Sequence, residues 1–115
     1  MKKYFVLFCV PTGTMAGWME TTTPEERKKQ GDQMMQDWGA WMEKMGASLA
    51  DKGMPLGKTK RVTKAGATDV KNDLNYYVIL EADSHDAAAE MVKDSPHLQI
   101  PDAYIEVVEV PHMGM

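Results

Sequence analysis

A single cysteine, Cys9, stands in the whole chain. No intrachain disulfide can form and nothing points to an oxidising compartment, so the expected location is the cytoplasm. Long apolar runs are missing too: none reaches the roughly 18 residues of a membrane span. Met1-Lys2-Lys3 followed by Tyr4–Val10 has the faint outline of a signal peptide. Its apolar part is short for that pattern, and a first strand is the better reading. Acidic residues outnumber basic ones, 17 to 13. The net charge of −4 and a pI near 5.3 argue against a nucleic-acid or anionic-membrane partner. No phosphate-cradling glycine loop, zinc-ligand spacing or serine-nucleophile motif occurs, so neither cofactor nor metal is expected. His112, Met113 and Met115 form too short a tail cluster to be a ligand set.

What is abundant is methionine, with eleven residues, several of them beside tryptophan. That suggests adaptable apolar contact surfaces or a gap-filling core. At 115 residues the chain reads as one domain, 1–115, large enough to bury a core without staples.

The stretch Thr23–Gly57 organises the rest. Met34, Trp38, Trp41, Met42, Met45 and Leu49 recur at steps of three and four, which lines up one apolar stripe on a helix over Pro24–Met45. Thr23 is a hydroxyl cap, Pro24 suits the first helical position, and Glu26 can reach back to the cap's N–H. Gly46 is a fair terminator. Gly31 and Gly39 inside the helix each cost up to about 1 kcal/mol against alanine. Gly39 sits between Trp38 and Trp41, where a missing side chain leaves room for another backbone or a ligand.

Before this helix, Lys3–Val10 reads as a strand apolar on both faces: Tyr4, Val6, Phe8 and Val10 on one, Phe5, Leu7 and Cys9 on the other. Such a strand needs cover on both sides. Pro11–Thr22 reads as a loop, with Trp18 either a satellite of the core or part of a lid over a pocket. After the helix come a short strand at Ala47–Asp51, a break at Gly53–Gly57, and a lysine-guarded edge strand at Lys58–Thr63. Lys64–Leu74 reads as a polar turn. Asn75–Ala82 is the strongest strand signal. Ser84 caps a second helix with Ala88, Met91 and Val92 as its buried stripe, and Ser95-Pro96 ends it. Ala103–Val110 is the last strand. The order β-α-β-β-α-β is the ferredoxin-like, split βαβ pattern of an α+β domain. Two helices cover one face of a four-stranded sheet. The other face is too apolar to stay in water, which predicts a homodimer packed sheet to sheet.

Trp38-Gly-Ala-Trp-Met42, Lys44-Met-Gly46, Leu49, Asp51, Gly53 and Pro55-Leu-Gly57 resemble the first half of the YCII-related proteins. Tyr76-Tyr77, Glu81-Ala-Asp-Ser84, Ala87, Pro96-His97-Leu98 and Ile105-Glu106-Val107 resemble the second half. The resemblance implies a dimeric α+β barrel, two ferredoxin-like sheets face to face, in a family most of whose members have no assigned activity. The Asp-Gly-Pro-Phe run of many members is Ala65-Gly-Ala-Thr-Asp69 here. Shorter relatives carry a histidine on the first helix and an aspartate directly before the proline. This helix has no histidine, and Ser95 separates Asp94 from Pro96, so that suspected acid–base pair does not transfer.

Two function classes follow. One is a homodimer that binds a small molecule in an apolar cleft lined by Trp18, Trp38, Trp41 and Met42. The other is a cofactor-free lyase, isomerase or oxygenase acting on a small acid, with His97 as base and Asp94 as its carboxylate. A haem protein with His97 as axial ligand is a distant third. Against each stands a plain structural role: the tryptophans as core, His97 as a surface or structural histidine, Cys9 as inert core. His85, Asp86 and Glu90 read as a solvated helix start.

Overall fold

A computed structural model describes residues 1–111; His112, Met113 and Met115 lie outside them. The chain has the element order β1 (Lys2–Cys9), α1 (Thr14–Thr21), α2 (Pro24–Met45), β2 (Leu49–Asp51), β3 (Thr59–Thr63), β4 (Gly66–Val70), β5 (Leu74–Ala82), α3 (His85–Val92) and β6 (Tyr104–Val110). Four strands form one sheet in the order β2-β5-β1-β6, each neighbouring pair antiparallel. That order is the ferredoxin-like one. Among the described residues β3 and β4 pair only with each other, in a separate two-stranded sheet inserted between β2 and β5.

The ends of the helices follow from local chemistry. Thr23 Oγ1 accepts from the Glu26 N–H at 3.1 Å, and the Glu26 carboxylate accepts from the Thr23 N–H at 3.3 Å. This reciprocal pair satisfies two of the donors a helix start leaves free. Gly46 ends α2 at φ +43°. Ser84 caps α3 by accepting from the Ala87 N–H at 3.1 Å.

Alternation along β1 sorts its two faces. Tyr4, Val6 and Phe8 are buried together with Val78 and Leu80 of β5, Trp41 and Met45 of α2, and Ala88 and Val92 of α3. Phe5 and Leu7 point to the other face, opposite Ile79 and Tyr77 on β5 and Val108 and Glu106 on β6. Phe5 stacks on Tyr77 with ring centroids 5.3 Å apart. The apolar members of this face stay half-buried, or exposed in the case of Val108.

Three boundaries differ from those read in the sequence. Pro11–Thr22 is not all loop: Thr14–Thr21 is α1. Gly17 inside it, Gly13 at its start and the absence of a side-chain cap hide it, because its order comes from outside. Arg27 of α2 donates to the carbonyls of Thr22 at 2.6 Å and Met19 at 3.1 Å, closing α1's free C-terminal end. Lys64–Leu74 is not a turn either. Only Lys64 and Ala65 turn, and Gly66–Val70 is β4. This two-residue turn lacks the Asn-Gly or Asp-Gly pair that usually announces a hairpin. Lys58–Thr63 therefore edges the hairpin rather than the main sheet. At Ala47–Asp51, the first residues form a 3₁₀ turn and the strand begins at Leu49, so Leu49 packs from the sheet and not from the helix.

Candidate functional site

Phe8 at the end of β1 gathers the residues that the sequence singles out. Its ring meets Trp38, Trp41 and His97 edge-on, with centroids 5.1, 5.9 and 5.4 Å away. Trp38 and Trp41 lie 5.3 Å apart, and Tyr76 of β5 closes the ring of aromatics against Trp38 at 5.3 Å. Met42 packs against the same cluster. The tryptophan pair and His97 are thus brought together, but through Phe8 and inside the core. Trp41 is 4% exposed and His97 6%.

His97 sits in the 3₁₀ turn Pro96–Gln99, which Ser95 caps by accepting from the His97 N–H. Its Nε2 faces the carbonyl oxygen of Cys9 at 2.8 Å. A carbonyl only accepts, so Nε2 carries the hydrogen and the ring is in its Nε2–H form. Burial lowers the histidine's pKa below 6.5, while the carbonyls of Cys9 and Tyr104 push the other way. The imidazole is therefore neutral at neutral pH.

Asp94 does not reach His97. Its carboxylate pairs with Lys44 of α2 at the surface, and that hydrogen bond, with the Lys44 charge behind it, lowers the carboxyl's pKa. The Trp41 indole N–H points toward the same carboxylate but makes no hydrogen bond and remains unsatisfied. Trp18 stands apart as well. Its indole N–H donates to Gln30 Oε1 at 2.7 Å, two turns or about 12 Å up the helix from Trp38.

The remaining reactive groups have structural partners. Cys9 is buried, and burial raises its pKa, with the charges of Glu106 and Asp73 adding and a Tyr104 hydrogen bond opposing. It is kept as an inert thiol. Tyr104 donates to Asp73 at 2.6 Å, which holds its phenol well above the ordinary value. His85 is exposed yet bonded: its Nε2 lies 2.8 Å from the Val107 carbonyl, and its ring stacks on Tyr4. It clamps α3 to β6.

Away from the tryptophan pair lies an open space. An open cleft of about 1140 Å³ runs between the β1–α1 corner and the β3–β4 hairpin. Val10, Leu56 and Leu74 contribute apolar surface, and Met15 of α1 lines the cleft with them. Lys58, Lys71 and Asn72 supply polar groups. The main chain ties these walls to the sheet: the Val10 N–H donates to the Asp73 carbonyl at 2.8 Å and the Leu56 N–H to the Asn75 carbonyl at 2.9 Å. The Asn72 amide donates to Thr59 Oγ1 at 3.0 Å. Val10 follows directly on Cys9, so the His97 bond anchors the segment from which the cleft begins.

Sequence reasoning misses these residues because Val70 and Lys71 fall within the expected turn Lys64–Leu74 and Met15 within the expected loop Pro11–Thr22. The clue lay in the dense run of basic residues from Lys58 to Lys71 in a chain of net negative charge.

No family model and no curated protein matches the chain. Among solved structures, the chain is similar to the 5-chloro-2-hydroxyhydroquinone dehydrochlorinase of Burkholderia phenoliruptrix in complex with 2,5-dihydroxybenzoquinone. The identity is 16%, the match covers 97% of this chain and 95% of that one, and the TM-score is 0.49. A likeness that distant says nothing of this chain's chemistry.

Proposed function

We propose that the protein is a YCII-like homodimer that binds a small molecule, seated in the cleft between the β1–α1 corner and the hairpin. The cleft carries the reading. At about 1140 Å³ it slightly exceeds the roughly 300–1,000 Å³ usual for such sites, and it has their mixture of apolar surface with a few polar groups. In this reading Trp38, Trp41, Met42 and His97 act by rigidity, holding the end of β1 so that Val10 keeps its position.

Shape supports the homodimer. The radius of gyration is 16.2 Å, against about 13 Å for a compact chain of similar length. The extents are 52 × 45 × 19 Å, a thin plate. Phe5, Leu7, Tyr77, Ile79 and Val108 form its bare apolar side. A second copy laid sheet to sheet removes that surface from water, at roughly 25 cal/mol per Å².

The enzymatic reading asks more. His97 keeps its Nε2 hydrogen on the Cys9 carbonyl, and Asp94 would have to leave Lys44 before it could approach the ring's other nitrogen.

Light scattering at micromolar concentration is expected to give twice the 12.9 kDa of one chain; a monomer mass overturns the homodimer. A thermal-shift screen of small acids is expected to give hits that Leu56→Gln abolishes. Hits abolished by His97→Asn and untouched by Leu56→Gln overturn the cleft and favour the enzyme.

A further inference from the structure

We infer that the cleft takes an amphipathic anion: an apolar body with one carboxylate, sulfonate or phosphate group, held by Lys58 and Lys71. The inference rests on the cleft being the binding site, and it adds the chemistry of the ligand.

The charge of the walls is the first observation. Between Lys58 and Lys71 the sequence places five basic residues, Lys58, Lys60, Arg61, Lys64 and Lys71, against Asp69 alone. The chain as a whole is at −4, so this segment runs against the overall sign. Asp69 is already matched, since Lys60 Nζ lies 2.7 Å from its Oδ1. Lys58 and Lys71 line the same cleft, and neither forms an ion pair among the described residues. An anion entering there meets two ammonium groups, while the one carboxylate on the wall, Asp69, is held by Lys60.

The second observation is the surface beneath the charges. Val10, Leu56 and Leu74 are buried or half-buried and present apolar atoms to the cleft. Their backbone N–H groups are committed, Val10's to the Asp73 carbonyl, Leu56's to the Asn75 carbonyl and Leu74's to Asn72 Oδ1. Such a floor offers an incoming polar group little, whereas an aromatic or aliphatic body removes apolar surface from water. A simple inorganic anion satisfies only the lysines, and a neutral hydrocarbon only the floor. The ligand that uses both is a small amphipathic acid.

Two dyes separate these demands. 8-Anilinonaphthalene-1-sulfonate and N-phenyl-1-naphthylamine have the same aromatic body and differ in the sulfonate. The sulfonate is expected to bind the folded protein more tightly than the neutral amine. The double variant Lys58→Ala/Lys71→Ala is expected to weaken the sulfonate about tenfold or more, as loss of charge-assisted contacts does, and to leave the amine unchanged. Both lysines are exposed, so the variant folds, and circular dichroism checks it. Equal affinity for the two dyes, or a double variant that binds the sulfonate as well as the parent, overturns the inference. If Leu56→Gln then weakens both dyes, the cleft stands and only the ligand class has failed. If Leu56→Gln changes neither and Leu7→Glu on the bare sheet face abolishes both, the cleft reading falls with it.

Discussion

His97 Nε2 holds the carbonyl oxygen of Cys9 at 2.8 Å, joining positions 88 residues apart. The bond fastens the turn after α3 to the end of β1, and it does so with a neutral ring. Burial sets the folded pKa below 6.5, so the unfolded chain takes up the proton first as pH falls. Above pH 6.5 both states are neutral at this residue and it contributes no pH dependence. Below it, stability falls until the folded pKa is passed, at no more than about 1.4 kcal/mol per pH unit. Urea titrations at pH 7.5 and 5.5 are expected to show the loss, and His97→Asn to remove a large part of it. An unchanged pH dependence in the variant counts against this role.

Trp41 carries two opposed terms. Its ring fills the core beside Phe8, yet its indole N–H is buried with no acceptor. An unsatisfied donor costs about 1–3 kcal/mol, so Trp41→Phe is expected to recover much of what its smaller ring forfeits, for a net loss under about 1 kcal/mol. Phe8→Ala has no such offset and is expected to cost about 3–5 kcal/mol. Equilibrium denaturation of the two variants checks the order.

Glycines at two positions behave in opposite ways. Gly53 has φ +75°, and a Cβ there would fall 1.5 Å from the Tyr77 carbonyl oxygen. Gly53→Ala is expected to lose at least about 3 kcal/mol, because backbone must move. Gly39 lies inside α2 with nothing within 4 Å of a built Cβ. Gly39→Ala is expected to gain up to about 1 kcal/mol from helix propensity. A loss there on thermal melting means that a partner or ligand uses the gap.

No residue of α1 is buried, and β3 and β4 are exposed along most of their length. Backbone hydrogen bonds in such segments open easily. Amide exchange in Thr14–Thr21 and Thr59–Val70 is expected to run at least about tenfold faster than in Gln33–Met45. Equal protection in the two regions overturns this.

The fold was legible where neighbouring residues decide it. The apolar spacing and the Thr23–Glu26 cap announce α2, and the β-branched and aromatic run Tyr76–Leu80 announces β5. Where a segment's order is supplied by an adjoining element rather than by its own residues, the sequence was silent. Arg27 closes α1 from another helix, and β4 exists because β3 lies beside it. The site divides the same way. Stepping by helical turns brings Trp38, Trp41 and Met42 together, and their meeting with Phe8 follows from packing. That Nε2 of His97 would turn to Cys9 and Asp94 to Lys44 depends on where the last turn lands, which no local pattern encodes. The cleft faces segments far apart in the chain, so only its charge was visible.

Among the described residues β6 pairs with β1 alone, so one flank of Tyr104–Val110 has no strand beside it, and His85 occupies the Val107 carbonyl. A strand of another molecule would extend the sheet there without any change of fold. Glu106 and Glu109, both exposed, set negative charge along that row, so two such flanks meet as like charges. Like-charge repulsion of this kind disfavours edge-to-edge pairing of two copies. Neutralising the two glutamates, by mutation or by acid, lowers that repulsion and makes the edge more open to a further strand.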